Sequence, residues 1–209
     1  MPEPLLHISD LHTRYGATPV LRGASLSLAS GEALALTGPS GSGKSTLALA
    51  ILRLLPPGGA ITHGAIRFGG ANLLGLPPGQ MNRVRGTGIG MIFQQPRPSL
   101  TPVRTVGSQL IEVLRVHRGL DRPAAQREAA AWFERVGLSG LLDRYPGELS
   151  GGQAQRAALA VALAPGPDLL IADEPTSSLD TDTEARILDL IADLQRETAT
   201  AVLLITHDA

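Results

Sequence analysis

The chain has 209 residues, 43% of them hydrophobic, with 18 basic and 19 acidic side chains, a net charge of −1 and no cysteine. That is enough apolar material for one full core, while scattered arginines with no basic stripe argue against a nucleic-acid partner and the lack of cysteine excludes disulfides and thiolate metal sites. Residues 1–7 lack the pattern of a secretory signal, and the apolar runs Leu47 to Leu55 and Ala157 to Ala172 are too short or too interrupted to span a bilayer, so any membrane role is expected to need a partner.

Leu5 to Tyr15 and Val20 to Leu28 are expected as strands, the second with apolar residues alternating, and Ala33 to Thr37 as a short buried strand. Next comes Gly38-Pro39-Ser40-Gly41-Ser42-Gly43-Lys44-Ser45, which fits G-x-x-x-x-G-K-[ST]. Glycines in this pattern let backbone N–H groups turn inward on a phosphate, and a compact ammonium on a flexible stem reaches its oxygens where a planar guanidinium would not fit. Lys44 is the only lysine beside seventeen arginines, which marks it as kept for its chemistry. Ser45 to Leu55 is predicted as a helix stopped at Pro56-Pro57-Gly58-Gly59, so the loop opens a helix N-terminus, and the Ser45 hydroxyl is the expected ligand of Mg²⁺.

Strands are expected again at Ala65 to Phe68 and Gly90 to Phe93. Helical spacing follows at Val106 to His117, Pro123 to Val136 and Gly151 to Ala164, each ended by Gly or Pro. These helices read as an insertion, after which the chain returns to strand at Leu169 to Ala172, helix at Asp182 to Glu197 and strand at Ala201 to Thr206. Strands alternating with helices predict an α/β fold with a mostly parallel sheet, preceded by an N-terminal β subdomain, and ligands at the carboxyl ends of the strands. No internal repeat is present.

Two further stretches carry chemistry. Leu169-Leu170-Ile171-Ala172-Asp173-Glu174 delivers two carboxylates at the end of a buried strand, Asp173 for the Mg²⁺ shell and Glu174 to orient or deprotonate a water. Leu149-Ser150-Gly151-Gly152-Gln153 opens the helix to Ala164 with a serine N-cap and two glycines. Glycines in a first turn weaken a helix unless something must approach its backbone, so a second anion-binding helix start is expected here.

On these motifs the chain resembles the ATP-binding subunits of ABC transporters, with a P-loop NTPase fold, an N-terminal antiparallel β subdomain and an inserted helical subdomain at 94–164. In order they are the Walker A loop Gly38 to Ser45 with Thr46 following, the Q-loop Gln94, the signature at Leu149 to Gln153, the Walker B strand ending in Asp173 with Glu174 as catalytic base, the D-loop Ser177-Ser178-Leu179-Asp180 and the switch histidine His207. The resemblance implies ATP and Mg²⁺ as cofactors, Gln94 sensing the Mg²⁺ and the attacking water, His207 at the γ-phosphate and Tyr15 stacked on adenine. It implies a head-to-tail pair of such domains, in which Ser150, Gly151, Gly152 and Gln153 act on the partner's nucleotide, and Asp180 of the D-loop as a further nucleotide-binding residue. Two membrane permeases and a solute-binding protein acting through them are the further partners implied, at the cytoplasmic face of the inner membrane.

The stretch Met91 to Gly107, with its Pro-x-x-Ser-Leu-x-Pro run, is similar to importers for dipeptides, oligopeptides and nickel. Gln95, Ala154 and Ser178 depart from the usual residues without touching a phosphate ligand. Family members continue past the switch histidine, so the chain is expected to be a fragment with an incomplete C-terminal end. A soluble ABC ATPase acting as a clamp in repair or translation, or an inactive nucleotide-binding remnant, are the alternatives. The compact stretch between Lys44 and Ser150, without heptads, disfavours the clamp.

Overall fold

Two sheets organise the residues that the computed structural model describes, which are 3–95, 99–177 and 179–207. The first is antiparallel, ordered β2-β1-β4-β5, from β1 (Leu6–Tyr15), β2 (Thr18–Leu28), β4 (Gly59–Phe68) and β5 (Ala71–Asn72). The second is parallel, ordered β3-β8-β7-β6, from β3 (Ala33–Leu36), β6 (Ile89–Ile92), β7 (Leu169–Asp173) and β8 (Ala201–Ile205). The helices are α1 (Lys44–Ile51), α2 (Pro78–Arg83), which runs on into a π-helical turn (Val84–Gly88), then α3 (Val106–Arg118), α4 (Arg122–Arg135), α5 (Gly151–Leu163) and α6 (Thr181–Thr198).

Apolar residues in β1 alternate through Leu6 and Ile8 and then skip to Leu11, a spacing that would turn Leu11 to the wrong face of a regular strand. A bulge absorbs the extra residue: the register shifts against both β2 and β4 between Ile8 and His12, and Asp10 takes φ 46. Leu6, Ile8 and Leu11 consequently all reach the core.

The parallel sheet separates two apolar clusters. Leu169 and Ile171 of β7 and Leu203 of β8 pack with α1 and the antiparallel sheet. Leu170 and Val202 point the other way, into a cluster built from α3, α4, α5 and α6. Every residue of β7 is buried, as befits a strand covered on both faces. Helix α5 approaches the sheet through small side chains, Ala154, Ala157, Ala158 and Ala160, and Gly90 of β6 completes the fit, because a Cβ there would stand 2.5 Å from the Ala162 carbonyl oxygen.

Three differences from expectation have a clear physical cause. Helix α1 ends at Ile51, short of Leu55, because Arg53 turns left-handed at φ 53 and the Arg85 side chain takes up the carbonyls of Leu52 and Arg53. Strand β4 begins at Gly59, ahead of Ala65, since pairing with β1 extends it through the exposed Thr62 and His63. Helix α2 is an addition to the expected elements: Met81 is its one buried residue, so its sequence carries almost no periodic signal.

Replacing Gly90 with Ala should destabilise the protein by about 1–3 kcal/mol, the usual cost of overpacking a filled core. A denaturant titration checks this, and an unchanged midpoint would show that α5 moves aside freely.

Candidate phosphate-binding site

Lys44 opens α1 and is only 8% exposed. Its Nζ donates to the carbonyl oxygens of Gly38 at 2.7 Å and Pro39 at 3.1 Å, which hold the ammonium in the mouth of its own loop. The loop needs glycine at Gly43, where φ is 98 and a Cβ would lie 2.8 Å from Leu21 Cδ2 and 3.2 Å from Val20 Cγ1. Packing of β2 onto the loop therefore sets its shape.

One cavity of about 200 Å³ is lined by Val20, Ser40, Gly41, Gly43, Lys44, Ser45, Thr46, Gln94 and Glu174. Gly38, Pro39 and Ser42 belong to the same loop, and Asp173 joins through a 3.0 Å hydrogen bond donated by the Ser45 hydroxyl to its Oδ1. Gln94 Nε2 donates to Glu174 Oε2 at 2.7 Å, and His207 Nδ1 lies 3.7 Å from Glu174 Oε1. The structure thus brings together the sequence-predicted residues of the Lys44 loop with Gln94, Asp173, Glu174 and His207, and leaves apart Tyr15, the stretch after Leu149 and Asp180.

Glu174 takes φ 45, a left-handed conformation that costs a non-glycine residue on the order of 1–2 kcal/mol. Its N–H donates to the Ile205 carbonyl at 2.9 Å, which fixes the turn and leaves the carboxylate 16% exposed beside the cavity. Strain of this kind persists where the surroundings over-determine it, commonly at functional sites. Asp173 is 5% exposed, and burial pushes its carboxyl above the usual carboxylate range. The Ser45 hydrogen bond opposes that rise, the neighbouring Glu174 adds to it and Lys44 opposes it.

Ser45 and Asp173 offer hard oxygens next to the phosphate loop. Among the described residues no group of three or more His, Cys, Asp or Glu side chains is arranged to hold a metal by itself. A hydroxyl and one carboxylate suit Mg²⁺, which keeps several waters and fills its shell from substrate phosphates. The residues therefore fit that ion.

Ser150 and the glycines after it lie elsewhere, in a cavity of about 430 Å³ lined by Ser150, Gly151, Gly152, Arg156, Leu179, Asp180, Thr183, Arg186 and Ile187. It shares no lining residue with the Lys44 cavity. The Ser150 hydroxyl accepts from the Gln153 amide at 3.2 Å while Gln153 Oε1 accepts from the Ser150 amide at 2.9 Å. This capping box leaves the first-turn amides of Gly151 and Gly152 without helical acceptors. Gly152 is required by contact, since a Cβ there would stand 2.7 Å from Thr183 Cγ2. Asp180 caps α6, accepting from the Thr183 amide at 3.0 Å and the Thr183 hydroxyl at 2.8 Å, and these bonds hold its carboxyl below the usual range.

Tyr15 is half-buried at the end of β1, its ring against Gly59, and does not line the phosphate cavity. Val20 does, and sequence reasoning misses it because an apolar residue entering a strand carries no local sign of a ligand. Ser178 lies outside the described residues, as do Pro96, Arg97 and Pro98 of the proline-rich run. A larger cavity of about 580 Å³, on α3, is lined by Arg104, Glu112, Arg115 and neighbours and is separate from both sites.

Residues 21–177 match the model of the ABC transporter family. The chain belongs to this family. The fold agrees: a dimeric post-hydrolysis structure of the ATP-binding cassette MJ0796 bound to ADP and Pi superposes with TM-score 0.85 at 30% identity, covering 97% of this chain and 88% of that one. CbiO1 from Clostridium perfringens, part of the ABC transporter complex cbiONQ, gives TM-score 0.84 at 28% identity over 99% of this chain and 80% of that one. A probable peptide ABC transporter ATP-binding protein of Sinorhizobium fredii is 47% identical over 98% of this chain and 63% of its own length. The oligopeptide transport ATP-binding protein OppD of Bacillus subtilis is 43% identical over 98% of this chain and 59% of its own, and the dipeptide transport protein DppD of that species 43% over 99% and 64%. The chain thus spans less than two thirds of the length of these curated ABC transporter relatives.

The raised Asp173 carboxyl sets a pH-dependent prediction. The native state binds this proton more tightly than the unfolded chain, so metal-free stability drops as pH rises from the ordinary carboxylate value through the raised one. Asp173→Asn keeps an oxygen for Ser45 and removes the buried charge. Without divalent cations it should melt higher than the parent at pH 7, the gap closing as pH falls into the usual carboxylate range; thermal melts across pH measure this, and a lower melting point at pH 7 would refute it.

Proposed function

We propose that this chain is the ATP-binding subunit of a peptide importer, which binds ATP at the Lys44 cavity and hydrolyses it when two such domains close head to tail. The observation that carries this is the division of labour between two cavities. Lys44, Ser45, Gln94 and Glu174 share one, while Ser150, Gly151 and Gly152 line another, which a nucleotide held by a second chain would complete. The second domain is a copy of this chain or a paralogue.

The loop amides and Lys44 take the β- and γ-phosphates, and the Glu174 carboxylate accepts a proton from the attacking water. Gln94 holds Glu174 in place and would sense the metal and the attacking water, His207 contacts the γ-phosphate from the other side of Glu174, and Tyr15 stacks on adenine. Mg²⁺ held by Ser45 and Asp173 supplies charge neutralisation on the phosphates. Across the dimer, Ser150 keeps its hydroxyl hydrogen for a phosphate oxygen, the Gly151 and Gly152 amides add two donors, and Gln153 and Asp180 stiffen the two helix starts.

Peptides as the imported class are supported by the names of the relatives. Among the described residues no helix is long and apolar enough to cross a membrane. Two permease subunits, fed by a solute-binding protein, supply the channel, and the ATPase sits on them at the cytoplasmic face.

Glu174→Gln should keep ATP affinity and slow phosphate release by roughly 10²–10⁴, the usual weight of a general base. Nucleotide binding and turnover measure this, with the variant accumulating as an ATP-bound dimer by size exclusion; undiminished turnover would move the base elsewhere.

Ser150→Arg should spoil the site built on the partner's Lys44 and leave its own loop able to bind ATP. Mixed with Lys44→Ala, it gives one composite site with both lesions and one with neither. Recovered phosphate release in the mixture is the expected result, and mixed dimers with no recovery would oppose independent composite sites.

A further inference from the structure

Helix α1 is only eight residues long, so whatever fixes its rear also fixes the phosphate cradle at its front. Its last carbonyls, like those of any helix, have no donors within the helix. Amides just beyond it, those of Leu52, Leu54 and Arg53, take the carbonyls of Ala48, Leu49 and Ala50, and a single guanidinium meets the two carbonyls that follow the helix: Arg85 Nε donates to that of Leu52 at 2.9 Å and Nη2 to that of Arg53 at 3.1 Å, while Nη1 reaches Asn82 Oδ1 at 3.1 Å. Positive charge at a helix C-terminus also complements its dipole. Arg53 turns outward in the same place, donating to the carbonyls of Leu76 at 2.6 Å and Leu73 at 3.2 Å.

Arg85 lies within the π-helical turn Val84–Gly88, a local geometry of the kind that recurs at functional positions. Two close contacts seat that turn. The His117 ring lies directly on the Gly86 backbone, where any Cβ would collide with it, and a Cβ on Gly88 would stand 3.0 Å from Phe68 Cε1. His117 belongs to the last turn of α3, which comes after Gln94 in the chain. The ends of α1 and α3 therefore meet at one turn, on the opposite end of α1 from Lys44.

We propose that Arg85 is a positioning residue for nucleotide binding, holding the Lys44 helix by its rear, and that the His117–Gly86 contact is the joint through which α3 acts on it. This rests on the nucleotide-binding role of the Lys44 cavity. Arginine is needed because its planar fork serves two carbonyls and an amide oxygen at once, whereas lysine keeps the charge without that geometry.

The test is calorimetric binding of a non-hydrolysable ATP analogue with Mg²⁺, at a temperature where circular dichroism shows each variant folded, beside separate thermal melts. Arg85→Ala should weaken binding roughly tenfold, the scale of a lost charge-assisted hydrogen bond, and Arg85→Lys by less. His117→Ala should weaken it by a smaller factor, and the Arg85→Lys/His117→Ala pair should fall short of the product of the single effects, because both act through one turn. Should the alanine variant not fold, the lysine variant and the pair carry the test. Lower melting points with unchanged affinity would reduce Arg85 to a structural cap and overturn the proposal, and strictly multiplicative effects would remove His117 from it. Parent protein that binds no analogue would instead refute the nucleotide role itself.

Discussion

The Ser45 hydroxyl donates to a carboxylate 128 residues away in sequence, Asp173, and this contact depends on strand register. In the parallel sheet Leu36 of β3 stands level with Ile205 of β8, and Ile205 with Asp173 of β7. Ile92 of β6 is level with Ala172. Four strands accordingly end on one edge, and the phosphate loop, Gln94, Glu174 and His207, each just beyond the end of its own strand, arrive at the same place. A one-residue slip of β7 would turn Leu170 and Ile171 to each other's clusters and withdraw Asp173 from Ser45. The apolar pattern of β7, buried on both faces, thus guards the site as well as the core.

Within that edge the polar groups are held at a cost. Asp173 is buried with its carboxyl pushed toward the neutral form, and Glu174 occupies a left-handed backbone conformation. Neither arrangement favours the bare fold. Both suit the cation and polyanion proposed for this place, since low exposure strengthens charge interactions and a fixed turn removes the need to reorganise. The amide of Glu174 on the Ile205 carbonyl, and that of Thr206 on the Leu36 carbonyl at 3.2 Å, lock the ends of β7 and β8 to the neighbouring strands.

The second helix start obeys other constraints. Helix α5 is seated on the sheet by alanines and by Gly90, and its first turn is pressed against α6 so closely that Gly152 has no room for a side chain. Asp180 and Ser150 cap these two neighbouring helices, so both helix starts are rigid. A rigid donor array on a surface separate from the Lys44 loop is suited to a ligand held by another molecule.

Much of the fold and the site is legible in the sequence, where chemistry is carried by short contiguous stretches. Gly38 to Ser45, Asp173-Glu174 and Ser150-Gly151-Gly152-Gln153 each need particular residue types at fixed spacing, because a phosphate nest, a strand end and a capped helix are local structures. The strands and most helices are set by apolar periodicity for the same reason. The features that lie beyond the sequence depend on contacts between distant segments, whereas the head-to-tail pairing implied by the motifs already sets Ser150 apart from its own Lys44. The early end of α1 is decided by Arg85, the length of β4 by its pairing with β1, and the part played by Val20 by the packing of β2 on Gly43. Tyr15 against Gly59 belongs to the same class, since that distance is not encoded by spacing along the chain. Local propensity sets which residues form a loop or a helix, and only packing across the two sheets decides which of those loops and helices face one another.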